Sequence, residues 1–277
     1  MKKWHQVWAR EGGTTSMNFF SPIYIIWQRE VIRYFRDKAR IVSTLLQPIF
    51  FLVIFGAGFQ QTLAEGGNLG VDYIQFMYPG IIAMSIMSVA IFSTISTVWD
   101  REFGFLKEIL VAPVSRTSIA LGKTAGAMTL ASMQGLILLL IAPIVGVSLN
   151  FISVIQLFGL MILLSFALAG FGLLISSLMK STESFGIVMQ VIIFPMFFVS
   201  GAFFPLTAVP EWMVAISKIN PLTYGVDAFR QVMLNGQVPK EVLESLSVYP
   251  IYLDAIFLIV FLLIMIFLAV LAFNKRN

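Results

Sequence analysis

Side chains able to do chemistry are sparse in this sequence, and the densest group lies in WDREFGFLKEILVAPVSRTSIALGK, residues 99–123. Asp100, Arg101, Glu102, Lys107 and Glu108 bring charge of both signs, while Phe103, Leu106, Ile109 and Leu110 recur at helical spacing. An amphipathic helix is therefore predicted over 101–111. Pro113 ends it, because proline disfavours helical backbone in the residue before it, and Ser115 or Thr117 caps the helix that follows. Gly122-Lys123-Thr124 has the tail of a phosphate-binding loop. The full pattern needs glycine five residues before Gly122, where Thr117 stands, and no strand precedes it, so it is rejected as a nucleotide site. Any ATP chemistry then belongs to another polypeptide. Cysteine is absent and His5 is the single histidine, so neither thiolate nor histidine metal sites nor histidine acid–base catalysis are expected.

These residues have to be positioned by membrane helices. With 58% hydrophobic residues, 12% charged residues and a mean hydropathy of +0.91, the chain is read as an all-α polytopic membrane protein. The N-terminus, MKKWHQVWAREGGTTSMNFF, has no continuous apolar run before Arg10 and is not read as a cleaved secretory signal.

Ser21-Pro22 is read as the start of an N-terminal helix, serine as the cap and proline in the first turn. Arg29, Arg33, Arg36 and Arg40 follow at spacings of four, three and four. Ile23, Ile26, Trp27, Val31, Tyr34 and Phe35 fill most of the other face, so this helix is expected to lie among anionic lipid headgroups. Six spans follow, at 41–59, 78–98, 124–148, 152–178, 184–204 and 251–273, each matched to a hydrocarbon core of about 30 Å. Fifteen of the eighteen basic residues fall on one side of this arrangement, so both termini are expected in the cytoplasm.

The connections on the other side are unequal. Residues 60–77 form a Gly-rich loop and the turn at Asn150 is minimal. Residues 205–250 are too apolar for a simple loop. Pro210-Glu211-Trp212 and Asn220-Pro221 look like helix starts and Asn235-Gly236 like a stop, giving two short helices at 210–218 and 221–234. Trp212, Tyr224, Asp227, Phe229 and Arg230 lie on them, and neither is long enough to cross. A re-entrant hairpin over 205–236 is the expectation, with its backbone buried against protein or lining a wet cavity. Pro195 and Ser200-Gly201 are placed to kink the fifth span before it.

No span has an ionisable side chain in its middle, with Asp254 at the edge of the last. This argues against an ion- or proton-coupled carrier, since such carriers keep an intramembrane charge despite a cost of about 3 kcal/mol or more. Gly122 with Gly126, Gly56 with Gly58, and Ala167, Ala169, Gly170 and Gly172 make small faces for close helix packing. Gln47, Ser85, Ser88, Gln134 and Gln190 are polar positions that either line a path or bond a neighbouring helix.

EFGFLKEILVAPVSRTSIALGK after the second span, and FPMFFVSGAFFPLTAVPEWMVAISKINPLTYGVDAFRQVML after the fifth, resemble the type-2 ABC exporter permeases. The resemblance is to the subgroup similar to antibiotic-resistance and nodulation-factor export permeases, and NPLTYGVDAFRQVML is its most specific part. It implies a cytoplasmic arm and connecting helix over 1–40 and a six-span domain over 41–277 in a bacterial or archaeal cytoplasmic membrane. It also implies a second permease subunit, identical to the first, and two copies of a separate ATP-binding subunit that uses ATP and Mg, with no cofactor and no nucleic acid bound by this chain. Residues 101–111 would be the coupling helix, with Arg101, Glu102, Phe105, Leu106, Lys107 and Glu108 facing the ATPase and a smaller contact at 179–183. The cargo would be an amphiphilic or hydrophobic molecule, its contact residues unknown. A secondary carrier or channel, a plain interfacial helix at 101–111 and a membrane-embedded enzyme are the competing readings, the last lacking any cluster of catalytic side chains.

Overall fold

The computed structural model describes residues 19–66, 71–104 and 114–275, and among the described residues regular structure is helical, with no strand. The helices are α1 (Phe20–Arg36), α2 (Lys38–Gly66), α3 (Tyr73–Ser93), α4 (Ile95–Glu102), α5 (Arg116–Ile141), α6 (Phe151–Leu178), α7 (Thr182–Phe198), α8 (Glu211–Ser217), α9 (Pro221–Leu234), α10 (Lys240–Leu246) and α11 (Ile251–Lys275). Short polar residues start many of them. Asp72, Ser115, Asn150, Ser181 and Asn220 each accept a first-turn N–H, from Ile74, Ser118, Ser153, Ser184 and Leu222 respectively, where the helix itself supplies no acceptor.

Helix α3 is apolar all round and sits at the centre, with Phe76, Met77, Ile82, Ile86, Met87 and Ile91 fully buried. Packed against it are α2, α5, α6 and α9, while α11 covers the far side of α6. Val53 and Ile54 of α2, Val191 and Phe194 of α7, and Leu263 and Phe267 of α11 are exposed apolar residues on the outside, as surfaces that meet lipid or another subunit require.

Five stretches are long and apolar enough to cross a membrane: Lys38–Gly56, Tyr73–Glu102, Arg116–Val145, Phe151–Leu178 and Lys240–Ala272. The predicted span at 184–204 is shorter than expected. Helix α7 has 17 residues, about 25 Å at 1.5 Å per residue, against a hydrocarbon core of about 30 Å. It stops because the chain turns at Gly201 (φ +77°) to bring Ala202 onto α3. A Cβ at Gly80 would lie 2.5 Å from that of Ala202, so this approach requires glycine.

Other boundaries also move. Helix α1 begins at Phe20 with no side-chain cap, leaving Ser21 inside the first turn rather than ahead of it. It ends at Arg36 because Asp37 leaves helical geometry (φ −96°, ψ 80°), so Arg40 belongs to α2 and the four arginines do not share one helix. The loop expected over 60–77 contracts, since α2 runs to Gly66 and α3 starts at Tyr73. Helix α10 was not anticipated at all.

Candidate functional site

Four charged side chains meet where α1, α4 and α5 converge. Asp100, in the last turn of α4, is 1% exposed, and Lys123 of α5 is 2% exposed. The Lys123 ammonium donates to Asp100 Oδ2 (2.7 Å), lies 3.5 Å from Glu30 Oε1, and also reaches Ser96 Oγ (3.3 Å). Arg29 donates to Asp100 Oδ2 (2.6 Å) and Glu30 Oε1 (2.9 Å), and Arg33 lies 3.8 Å from Asp100 Oδ1 with its guanidinium 5.4 Å from the Trp99 ring centre. Lys123 and Arg29 thus neutralise two buried carboxylates, with Arg33 adding a longer contact to Asp100, the arrangement that buried charge demands. Burial pushes the Glu30 carboxyl up, but Lys123 and Arg29 together outweigh it and hold the group below the usual carboxylate range.

Glycines make this meeting possible. Gly122 and Gly126 flank Lys123 on the face of α5 that receives α1. A Cβ at Gly122 would fall 2.8 Å from that of Ile26, and one at Gly126 would fall 2.7 Å from that of Glu30. Trp27 Nε1 then donates to Thr129 Oγ1 across the same seam (2.9 Å). Lys123, the residue directly before the predicted span at 124–148, lies inside α5, which starts at Arg116. Its position between two glycines, with Glu30 set among the arginines of the N-terminal helix, was the available signal.

The helix predicted over 101–111 is not continuous. Arg101 and Glu102 complete α4, Phe103 is its C-cap, and Gly104 turns the chain at φ +82°. Phe105, Leu106, Lys107 and Glu108 lie outside the described residues. Arg101 donates to the carbonyls of Ser176 (3.5 Å), Ser177 (2.7 Å) and Met179, where the C-terminal end of α6 favours a cation. Glu102 accepts from the Thr182 N–H (3.3 Å) and hydroxyl at the start of α7, where a carboxylate is favoured. The two segments expected to share a cytoplasmic face, 101–111 and 179–183, are therefore joined through these two side chains.

The remaining arginines are placed differently from one another. Arg36 is exposed and, with Ile25, Gln28, Ile32 and Arg33, lines an open groove of about 520 Å³ along α1. Arg40, on α2, donates to Ser93 Oγ (3.3 Å) and sits 5.4 Å from the Tyr34 ring centre.

At the opposite end, Pro210 and Pro221 open α8 and α9 as the sequence implied, and Gly236 (φ +78°) follows the end of α9. Asn220 caps α9 and donates to the Met196 carbonyl (2.6 Å); Tyr224 donates to the Lys218 carbonyl (2.6 Å) and stacks on Phe257 of α11, 3.7 Å between ring centres. Asp227 accepts from the N–H groups of Val248 and Tyr249 (3.0 and 2.9 Å). Arg230 is 2% exposed, donates to the Gly201 carbonyl (2.7 Å) and lies 4.0 Å from the Phe76 ring centre. Phe229 is fully buried, whereas Trp212 is exposed. Helix α9 is thus fastened to α3, α6 and α11, while α8 carries the exposed Trp212.

Among the described residues no cluster of acids or histidines is arranged to hold a metal ion. What the geometry presents is a bundle with a cross-linked basic end and a capped opposite end. The ABC-2 type transporter family model matches residues 21–234. This chain belongs to the ABC-2 type transporter family. Its relatives include "Putative transport permease ycf38" of Cyanophora paradoxa, 33% identical over 80% of this chain and 77% of that one. "Nodulation protein J" of Rhizobium leguminosarum bv. viciae is 28% identical over 90% of this chain and 93% of its own length. "Probable multidrug ABC transporter permease YbhR" of Escherichia coli (strain K12) is 31% identical over 72% of this chain and 56% of its own. As an ABC-2 permease the chain is a multi-pass transport component rather than a catalyst, and membership implies an ATP-binding partner.

Proposed function

We propose that this chain is the membrane-spanning permease subunit of an ATP-driven exporter for an amphiphilic or hydrophobic molecule. It works with a second, identical permease subunit and two separate ATP-binding subunits. On this reading α7 completes a set of six spans as a short fifth crossing, and α8–α9 form the re-entrant hairpin on the outer side. The basic end and both termini face the cytoplasm of a bacterial or archaeal cell, in keeping with the excess of lysine and arginine there.

The observation that carries the reading is the wiring of α4. Within three consecutive residues it engages Arg29 and Lys123 through Asp100, α6 through Arg101 and α7 through Glu102. Residues 105–113 follow directly in the sequence after this junction. A partner that displaced that segment would act on α1, α5, α6 and α7 together, and such mechanical linkage is what a carrier with its own intramembrane driving group does not need. Among the described residues, the buried charges of the basic end are all paired within the chain, which supports a structural rather than an ion-translocating use.

The test is co-purification of the ATP-binding subunit and cargo-stimulated ATP hydrolysis in nanodiscs. Phe105→Ala and Leu106→Ala should weaken assembly, because truncating an apolar anchor at an interface removes about 2 kcal/mol or more. Wild-type assembly and hydrolysis in both variants, with correct insertion, would remove the coupling role and restore the secondary-carrier reading.

A further inference from the structure

The arginines of the basic end are not equivalent. Arg29 and Arg33 face Asp100, but among the described residues Arg40 has no carboxylate within 4.0 Å. Asp37, three residues away, accepts from the Arg40 backbone N–H (3.1 Å) rather than from its guanidinium. Arg40 instead stands at a cleft of about 290 Å³ between α2 and the α3–α4 corner. Thr44 and Gln47 follow it on the same face of α2; Ser88, Val89 and Phe92 of α3 and Ile95 and Trp99 of α4 form the other wall. Ser88 is half-buried and Gln47 exposed, and neither has a hydrogen-bond partner among the described residues, although both sit on apolar helices where lipid supplies none. The cleft therefore combines a cation with no carboxylate in ion-pair contact, amide and hydroxyl groups without a partner among the described residues, and an aromatic and aliphatic wall.

We propose that this cleft seats the acidic headgroup of an amphiphile, a phosphate or carboxylate, as an entry subsite for cargo. Arg40 pairs with the acid through charge-assisted N–H···O bonds. Ser88 and Gln47 bond the polar part next to it, and Val89, Phe92, Ile95 and Trp99 hold the first carbons of the chain. The inference rests on the export reading for the word cargo, but the binding itself does not require ATP.

The full-length chain in phosphatidylcholine nanodiscs is titrated with lysophosphatidic acid carrying a fluorophore on its acyl chain, and with lysophosphatidylcholine labelled in the same way. The expected result is preferential binding of the acid, weakened about tenfold or more by Arg40→Gln, with lysophosphatidylcholine affected by less than about twofold. Gln47→Leu, at an exposed and unpaired position that tolerates an apolar side chain, should also weaken binding of the acid. If Arg40 only anchors the helix to bulk headgroups, Gln47→Leu binds the acid as wild type does, and the proposal is overturned. Competition by inorganic phosphate at comparable concentration would show a free-anion site and overturn the amphiphile assignment. Equal affinity for the two lysolipids would overturn it as well. Intact selective binding without ATP-dependent movement of the lipid would count against the export reading alone.

Discussion

Asp100 and Lys123 are each so completely enclosed that neither tolerates loss of the other. Asp100→Ala leaves an ammonium buried with only the more distant Glu30, and should destabilise the fold by about 3–5 kcal/mol, read as a lowered unfolding temperature in detergent. The double variant Asp100→Leu/Lys123→Met removes both charges while Arg29 still neutralises Glu30, and should recover most of that loss. If the double variant were as unstable as the single one, the cluster would owe its importance to something other than charge pairing. Glu30 gives a second readout. Its folded-state proton affinity is depressed by Lys123 and Arg29 against the opposing effect of burial. The stability it contributes is therefore present above the ordinary value of 4.5 and is lost as pH falls through the lower folded value. Glu30→Gln should flatten the acid limb of the stability profile, measured against wild type under the same detergent conditions.

At the scale of elements, the α1–α5 seam depends on backbone proximity that side chains would prevent. Gly126→Val would push Glu30 away from Lys123, and overpacking of this kind costs about 1–3 kcal/mol beyond the charge pairs it opens. Gly159→Ala is the control, since nothing lies within 4 Å of that position. Thermal stability of both, followed by size-exclusion after heating, should fall only for Gly126→Val; equal behaviour would mean that α1 docks loosely. At the other end, Phe229→Asp places a carboxylate where α9 meets the core and should abolish folding or export, as unpaired buried charge costs several kcal/mol. Unchanged expression and transport would mean α9 is not packed against the bundle in the membrane.

For the whole molecule, orientation and coupling follow from where its charges gather. A reporter after Asn277 should report cytoplasm and a tag inserted at 66–70 should be accessible from outside, because basic residues gather at one end; reversed labelling would invert the topology. Glu102→Lys needs a different interpretation from the one its charge first suggests. It would remove the acceptor for Thr182 and put a cation at the start of α7, so it should disturb the α6–α7 turn even without a partner. Hydrolysis lost in Glu102→Lys but assembly retained would place the defect inside the permease, whereas loss of assembly would place Glu102 at the interface.

Sequence alone determined the elements whose cause is local. Apolar length marked the long helices, Asn220-Pro221 and Gly236 marked α9, and Ser115 marked the start of α5, because hydrophobic run length and helix capping are read from neighbouring residues. It also carried the family resemblance and identified Gly122 and Gly126 as a packing face. Only the tertiary structure decided what that face receives, and with it the fate of Lys123, Glu30 and Asp100, since these three meet from positions far apart in the chain. The same holds for α7, shortened by the contact of Ala202 with Gly80, and for Arg101 and Glu102, which the sequence assigned to a partner and which the fold first engages at the ends of α6 and α7. Charge pattern states how many ions must be satisfied; the close approach of helices decides which ion satisfies which.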